Sequence, residues 1–194
     1  IDIGGPACSL AFVPAGHDAA RAVRNLLPWT SPTVQGLMCS VGLGDRVGLA
    51  TPGHVKAVKG TKCRPYFAQQ SIREMTRTQR TPAEVMDAAT WGALQVGWRD
   101  GFGSDADHLK ETADIDACAA VGFTMYTIDP GDHVRSEADT MDVSSLASMM
   151  SGVPWKELET TPDDLRDRYL GQTFMLDGGG EVDFDQASLA RAIV

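Results

Sequence analysis

No C-x-x-C pair, no long apolar run and no basic stripe occur in this 194-residue sequence. Each absence closes off a class of protein. The four cysteines, at positions 8, 39, 63 and 118, stand far apart, which argues against a structural zinc site and against a disulfide-stapled scaffold. Widely spaced thiols fit a reducing, cytoplasmic setting in which they are buried or incidental. No window approaches the roughly 18 apolar residues that a membrane span needs. The N-terminus has no basic segment ahead of an apolar one, so it does not read as a secretory signal. A net charge of −9 repels nucleic acid and acidic membrane surfaces, and neither is expected as a partner. Neither G-x-G-x-x-G nor a P-loop is present, which leaves nucleotide binding without a motif.

What is present is an alternation. Apolar residues make up 43% of the chain, enough for one domain with a real core. The clearest helix spans residues 82–98: Thr81 is its N-cap, Pro82 its first residue, and Glu84 completes a capping box. Val85, Ala89, Ala93 and Val96 form one apolar stripe, and Gly92 beside it allows close approach to a sheet. RVGLATPG (46–53) and PYFAQQS (65–71) read as strands, each closed by turn or polar residues. ETADIDACAAVG reads as a helix with Thr112 as its N-cap and Gly122 as its stop, and FTMYTID (123–129) as a strand ending at Pro130-Gly131. Strand, helix, strand in this order predicts an α/β fold with parallel strands and covering helices. From about residue 136 the chain becomes polar and Met-rich, with short helices. GQTFMLDGGGEVDFD then reads as a hairpin, and Asp185 caps a last helix.

Polar residues gather where the predicted strands end, the position of active sites in parallel α/β sheets. GSDADHLK (103–110) is the densest such cluster. Asp105 and Asp107 would share one strand face and His108 the other, but at a strand exit the backbone leaves the pleat, and Asp107 and His108 can then reach one pocket. Imidazole with carboxylate suits a divalent cation such as Zn, Mn, Co or Ni, and a carboxylate beside such an ion can take a proton from a bound substrate. The competing reading is a polar turn with Asp107 capping the next helix. His54, after a Pro-Gly turn, and His133, near Asp129 and Asp132, are candidate ligand contacts or turn residues. His17 lies in the N-terminal segment, is assigned no acidic or histidine partner, and reads as structural or exposed. Gln69, Gln70 and Arg73 are donors suited to sugar hydroxyls and a carboxylate. Lys56, Lys59, Lys62 and Arg64 would either draw an anion to the strand-end face or form a solvated helix edge.

RVGLATPGHVKAV, FAQQSIREMTRT, RTPAEVMDAATWGALQVGWRDGFGSDADHLK and DIDACAAVGFTMYTIDPGDHV, in this order, resemble the tagaturonate epimerase family. The likeness covers residues 42–135 most strongly. It implies a metal-dependent enzyme on a TIM-barrel-like (β/α) fold that interconverts D-tagaturonate and D-fructuronate in hexuronate breakdown. Asp107 would then be the proton acceptor and His108 a metal ligand; His54, Gln69, Gln70, Arg73, Asp105, Asp129 and His133 are candidate contacts of the sugar-acid substrate from their residue types and positions. The family's enzymes are much longer than this chain, and residues 136–194 contain no histidine. The expected organisation is therefore an N-terminal segment (1–41), the first βα units of a partial barrel (42–135), a helical and hairpin insertion (136–184) and the start of a further helix (185–194). A chain so truncated would lack the proton donor, be inactive alone and tend to self-associate through open strand edges. A metal-dependent hydrolase or aldolase, or a non-catalytic sugar-acid-binding fragment, are the rival readings.

Overall fold

A computed structural model describes residues 12–194, which divide along the chain into two compact units, the first ending at Asp129 and the second beginning at Pro130. In the first unit, four parallel strands lie in sequence order: β1 (Ser40–Gly42), β2 (Arg64–Ser71), β3 (Gly103–Leu109) and β4 (Met125–Ile128). Helix α1 (His17–Leu26) precedes the sheet. The crossovers carry α2 (Thr51–Val58), the pair α3 (Ile72–Thr78) and α4 (Pro82–Val96), and α5 (Thr112–Ala120). The strands are parallel and joined through helices, as the alternation predicts, and their consecutive order forms the partial (β/α) barrel that the resemblance implies.

β2 and β3 are buried along most of their length, as central parallel strands must be. Their helix-facing side chains meet α2, α4 and α5 in one core built around Phe67, whose ring lies 5.3 Å from that of Phe102 and 5.9 Å from that of Trp98. Helix α4 starts as its sequence dictates. Thr81 accepts from the Glu84 N–H, Glu84 accepts from the Thr81 N–H, and Pro82 sits in the first turn. It ends at Val96 rather than 98, because Gly97 adopts φ 64° and turns the chain, leaving Val96 exposed outside the buried stripe. Gly92 does allow a close approach, but to α2 and not to the sheet: a Cβ there would collide with the Thr51 side chain.

Residues 46–53 do not form the expected strand. β1 lies earlier, at 40–42, and Asp45 shapes the stretch after it. Its carboxylate accepts from the N–H groups of Val47, Gly48, Leu49 and Ala50 at 2.7–3.2 Å, which folds these apolar residues into a turn. Thr51-Pro52 then opens α2, with proline in the first turn where its missing N–H costs nothing. Helix α5 is shifted by one residue: Glu111, not Thr112, is its N-cap, without a side-chain bond. His17 does have an acidic partner, Asp87 of α4, at 2.9 Å; Arg24 binds the same carboxylate at 2.8 Å, fixing α1 to α4. Arg64 opens β2, and Lys59 and Lys62 lie in the link leading to it. The basic cluster therefore borders the strand-start end of the sheet, which leaves the solvated edge, and not the anion-drawing strand-end face, of its two readings.

The second unit holds α6 (Val143–Met150), α7 (Pro162–Tyr169), the antiparallel hairpin β5 (Thr173–Met175) and β6 (Glu181–Asp183), and α8 (Gln186–Ile193). Leu146 and Ala190 anchor its small core, and Tyr169, Phe174 and Phe184 stack beside the hairpin. Asp185 caps α8 as expected, with Ser188 completing a capping box.

Candidate active site

A bulge in β3 decides where the Asp107 and His108 side chains go. Ala106 pairs with Tyr126 and Leu109 with Ile128, so β3 uses three steps where β4 uses two. Ala106 and Leu109 both face the core, at 0% and 1% exposure, although strict alternation would place them on opposite faces. The extra residue is His108, held at φ 56° in the left-handed region. Asp107 and His108 are thereby brought side by side, with Nδ1 of His108 2.7 Å from Oδ1 of Asp107.

A left-handed histidine costs roughly 1–2 kcal/mol relative to ordinary backbone, and such strain gathers at functional sites. The strain has a measurable consequence. His108→Gly is expected to be more stable than His108→Ala by about 1 kcal/mol, since only glycine removes the Cβ penalty. Paired urea denaturation midpoints read the difference; equal midpoints would mean that the bulge is unstrained.

Beneath the pair runs a cross-strand chain of hydrogen bonds. Gln69 of β2 donates from Nε2 to Asp105 of β3 at 2.8 Å, and Thr127 of β4 donates to the other Asp105 oxygen at 2.8 Å. Gly42 of β1 makes room for the Gln69 amide, which a Cβ there would strike. Asp105 is 2% exposed. Burial pushes its carboxyl above the usual range; the bonds from Thr127 and Gln69 oppose this, and the Asp107 charge adds to it.

The other expected contacts separate into groups. Arg73, His108 and Asp129 line one cavity of about 370 Å³ together with Lys110, Glu111 and Asp114, and Lys110 Nζ lies 3.7 Å from Asp129. Gln70 is placed away from it, 1% exposed on the helix side; it donates to Thr78 at 2.9 Å and accepts from Arg80 at 2.6 Å. His54 is half-buried in the first turn of α2, and its Nδ1 has no hydrogen-bond partner among the described residues. Burial lowers its pKa, and the nearby Asp45 charge offsets this only in part. His133 belongs to the second unit, where it is exposed in the turn after Pro130. Lys110 and Thr127 were not among the expected contacts. Lys110 closes the GSDADHLK motif and could have been found there; nothing local marks Thr127, whose partner lies on another strand.

An ionised carboxylate only accepts hydrogen bonds, so its partner Nδ1 of His108 would carry the hydrogen, and in the neutral ring Nε2 would then keep its lone pair. Metal-binding histidines use this carboxylate–imidazole arrangement. Among the described residues no group of three or more His, Cys, Asp or Glu is arranged to hold a metal ion, so they supply at most one imidazole ligand and a neighbouring carboxylate.

A parallel βα sheet with an acid–imidazole pair where a strand ends is the arrangement expected of part of a (β/α)-barrel enzyme. The sequence model for tagaturonate epimerase matches residues 4–194, and the chain belongs to that family. It is 40% identical over 184 residues to the tagaturonate/fructuronate epimerase of Thermotoga maritima, with 95% of this chain and 37% of the relative covered. Crystal structures of the fructuronate-tagaturonate epimerase UxaE from Cohnella laeviribosi, native and glycerol-bound, match with a TM-score of 0.78 at 35% identity. They cover 91% of this chain and 35% of theirs. The chain thus spans little more than a third of the length of these relatives.

Proposed function

We propose that this chain contributes the proton-accepting part of a barrel that interconverts D-tagaturonate and D-fructuronate. Asp107 is the base and His108 a ligand to a divalent cation. The β3 bulge carries this reading, because it sets a carboxylate and an imidazole together at the strand-end rim, beside a cavity large enough for part of a sugar acid. Arg73, exposed on that cavity, is suited to the substrate carboxylate. Further ligands and the proton donor come from outside the described residues. The widely spaced thiols fit a cytoplasmic setting.

The two ketohexuronates differ at C4, one carbon beyond the position acidified by the C2 ketone, so simple enolisation does not invert it. Cleavage of the C3–C4 bond does. Asp107 takes the proton of the C4 hydroxyl as that bond breaks, the aldehyde half turns over, and the bond re-forms on its other face with the proton returned. A bound divalent cation would draw negative charge onto the C2 and C3 oxygens. C4 keeps its own hydrogen throughout. A chimera joining residues 1–194 to the remainder of the Thermotoga maritima relative, turned over in D₂O, is expected to give product with no deuterium at C4; deuterium there would rule out this route.

A further inference from the structure

A second reactive cluster lies at the opposite end of the sheet from the rim, where Cys39 and Cys63 immediately precede β1 and β2. Ser40 pairs with Arg64, and the Arg64 N–H donates to the Cys39 carbonyl at 2.9 Å, so the two cysteines stand opposite one another one step before the ladder begins. Neighbouring parallel strands lie about 4.8 Å apart, within the Cα separation that a disulfide spans. The two thiols are near enough for Cys39 to perturb the ionisation of Cys63. Cys39 is exposed; Cys63 is half-buried and lines a surface cavity of about 350 Å³ together with Met38, Lys62 and Asp100. A small reagent can reach both sulfurs.

We propose that Cys39 and Cys63 form a dithiol site that low-molecular-weight disulfides convert to an intramolecular disulfide. One cysteine thiolate attacks the disulfide of oxidised glutathione, forming a mixed disulfide and expelling one glutathione thiolate. The second cysteine thiolate attacks the protein sulfur of that mixed disulfide, closing the Cys39–Cys63 bond and expelling the second glutathione. The two protons lost by the cysteines end on the two glutathiones. The loop so closed runs from 39 to 63 and contains Asp45, α2 and His54, so oxidation ties down the unit that carries them. β1, a three-residue strand at the edge of the described sheet, is held to β2 by few other bonds.

Burial and the adjacent Cys39 thiol raise the pKa of Cys63, which slows exchange at neutral pH. Cys118 supplies an internal control. It is fully buried, and burial, with the Asp114 charge behind it, pushes its thiol up to about 11.

The test is incubation of the 194-residue chain with oxidised glutathione in mildly alkaline buffer, followed by peptide mass mapping without reduction. The expected product is a Cys39–Cys63 cross-linked peptide with Cys118 unmodified, a thermal midpoint raised by about 5 °C, and full reversal by dithiothreitol. Cys39→Ser should leave Cys63 trapped as a stable glutathione adduct. Separate glutathione adducts on Cys39 and Cys63 in the wild type, free thiols at both, or a link from either to Cys8 would each overturn the proposal. The mapping on unsubstituted protein decides the matter even if the variant fails to fold.

Discussion

Asp107→Asn, in a chimera that completes the barrel with the remainder of the Thermotoga maritima relative, is expected to lower turnover about a thousandfold. KM should change little. Asparagine keeps the shape of the side chain and its contact with His108, but it cannot take the C4 hydroxyl proton. A group acting only in the transition state lowers kcat and kcat/KM together, whereas one that only holds substrate raises KM. Steady-state kinetics on D-tagaturonate separate the two. Loss of less than about tenfold would show that Asp107 is the turn residue of the rival reading and that the base lies elsewhere.

The second large effect falls on stability. Asp45→Ala is expected to cost about 3 kcal/mol, because four N–H groups lose one charged, 4%-exposed acceptor together. The effect is tied to pH. Burial works to raise the Asp45 carboxyl, but the bonds from Ala50, Gly48, Val47 and Leu49 outweigh it and hold the pKa below the usual carboxylate value. The folded state thus binds this proton less readily than the unfolded chain does. Its contribution is complete above the unfolded pKa of about 4, and it is lost as pH falls through the lower folded value. Urea denaturation at pH 7 and at pH 3 should show the variant's deficit shrinking in acid. A deficit that is unchanged or larger at pH 3 would contradict the assignment.

Asp45 also shows where sequence reading succeeds and where it stops. Local signals carry their own geometry: Thr81-Pro82 with Glu84, the Gly-rich hairpin and the Asp185 cap each complete a hydrogen-bond pattern within a few residues, and each element forms where those residues predict. Residues 46–53 are apolar enough for a strand, yet the carboxylate just before them ties up four consecutive N–H groups that a strand would need for its ladder. His17 looked unpartnered because its carboxylate is 70 residues away in sequence. In GSDADHLK the residue types were legible, and so was a departure from the pleat at the strand exit, although only His108 of the pair lines the cavity. The bulge was not, because it arises from pairing with β4, far along the chain. The Gln69–Asp105–Thr127 chain is hidden for the same reason: it is written across three strands.

Asp107 and His108 must act as a pair for the proposed chemistry to run, and the imidazole ring reports that directly. Long-range ¹⁵N–¹H NMR of the 194-residue chain at neutral pH should show neutral His108 protonated at Nδ1, with Nε2 bare and free for a cation. Asp107→Ala should return the ring to the usual preference for hydrogen on Nε2. A wild-type His108 already protonated at Nε2, and unmoved by that substitution, would contradict the pairing.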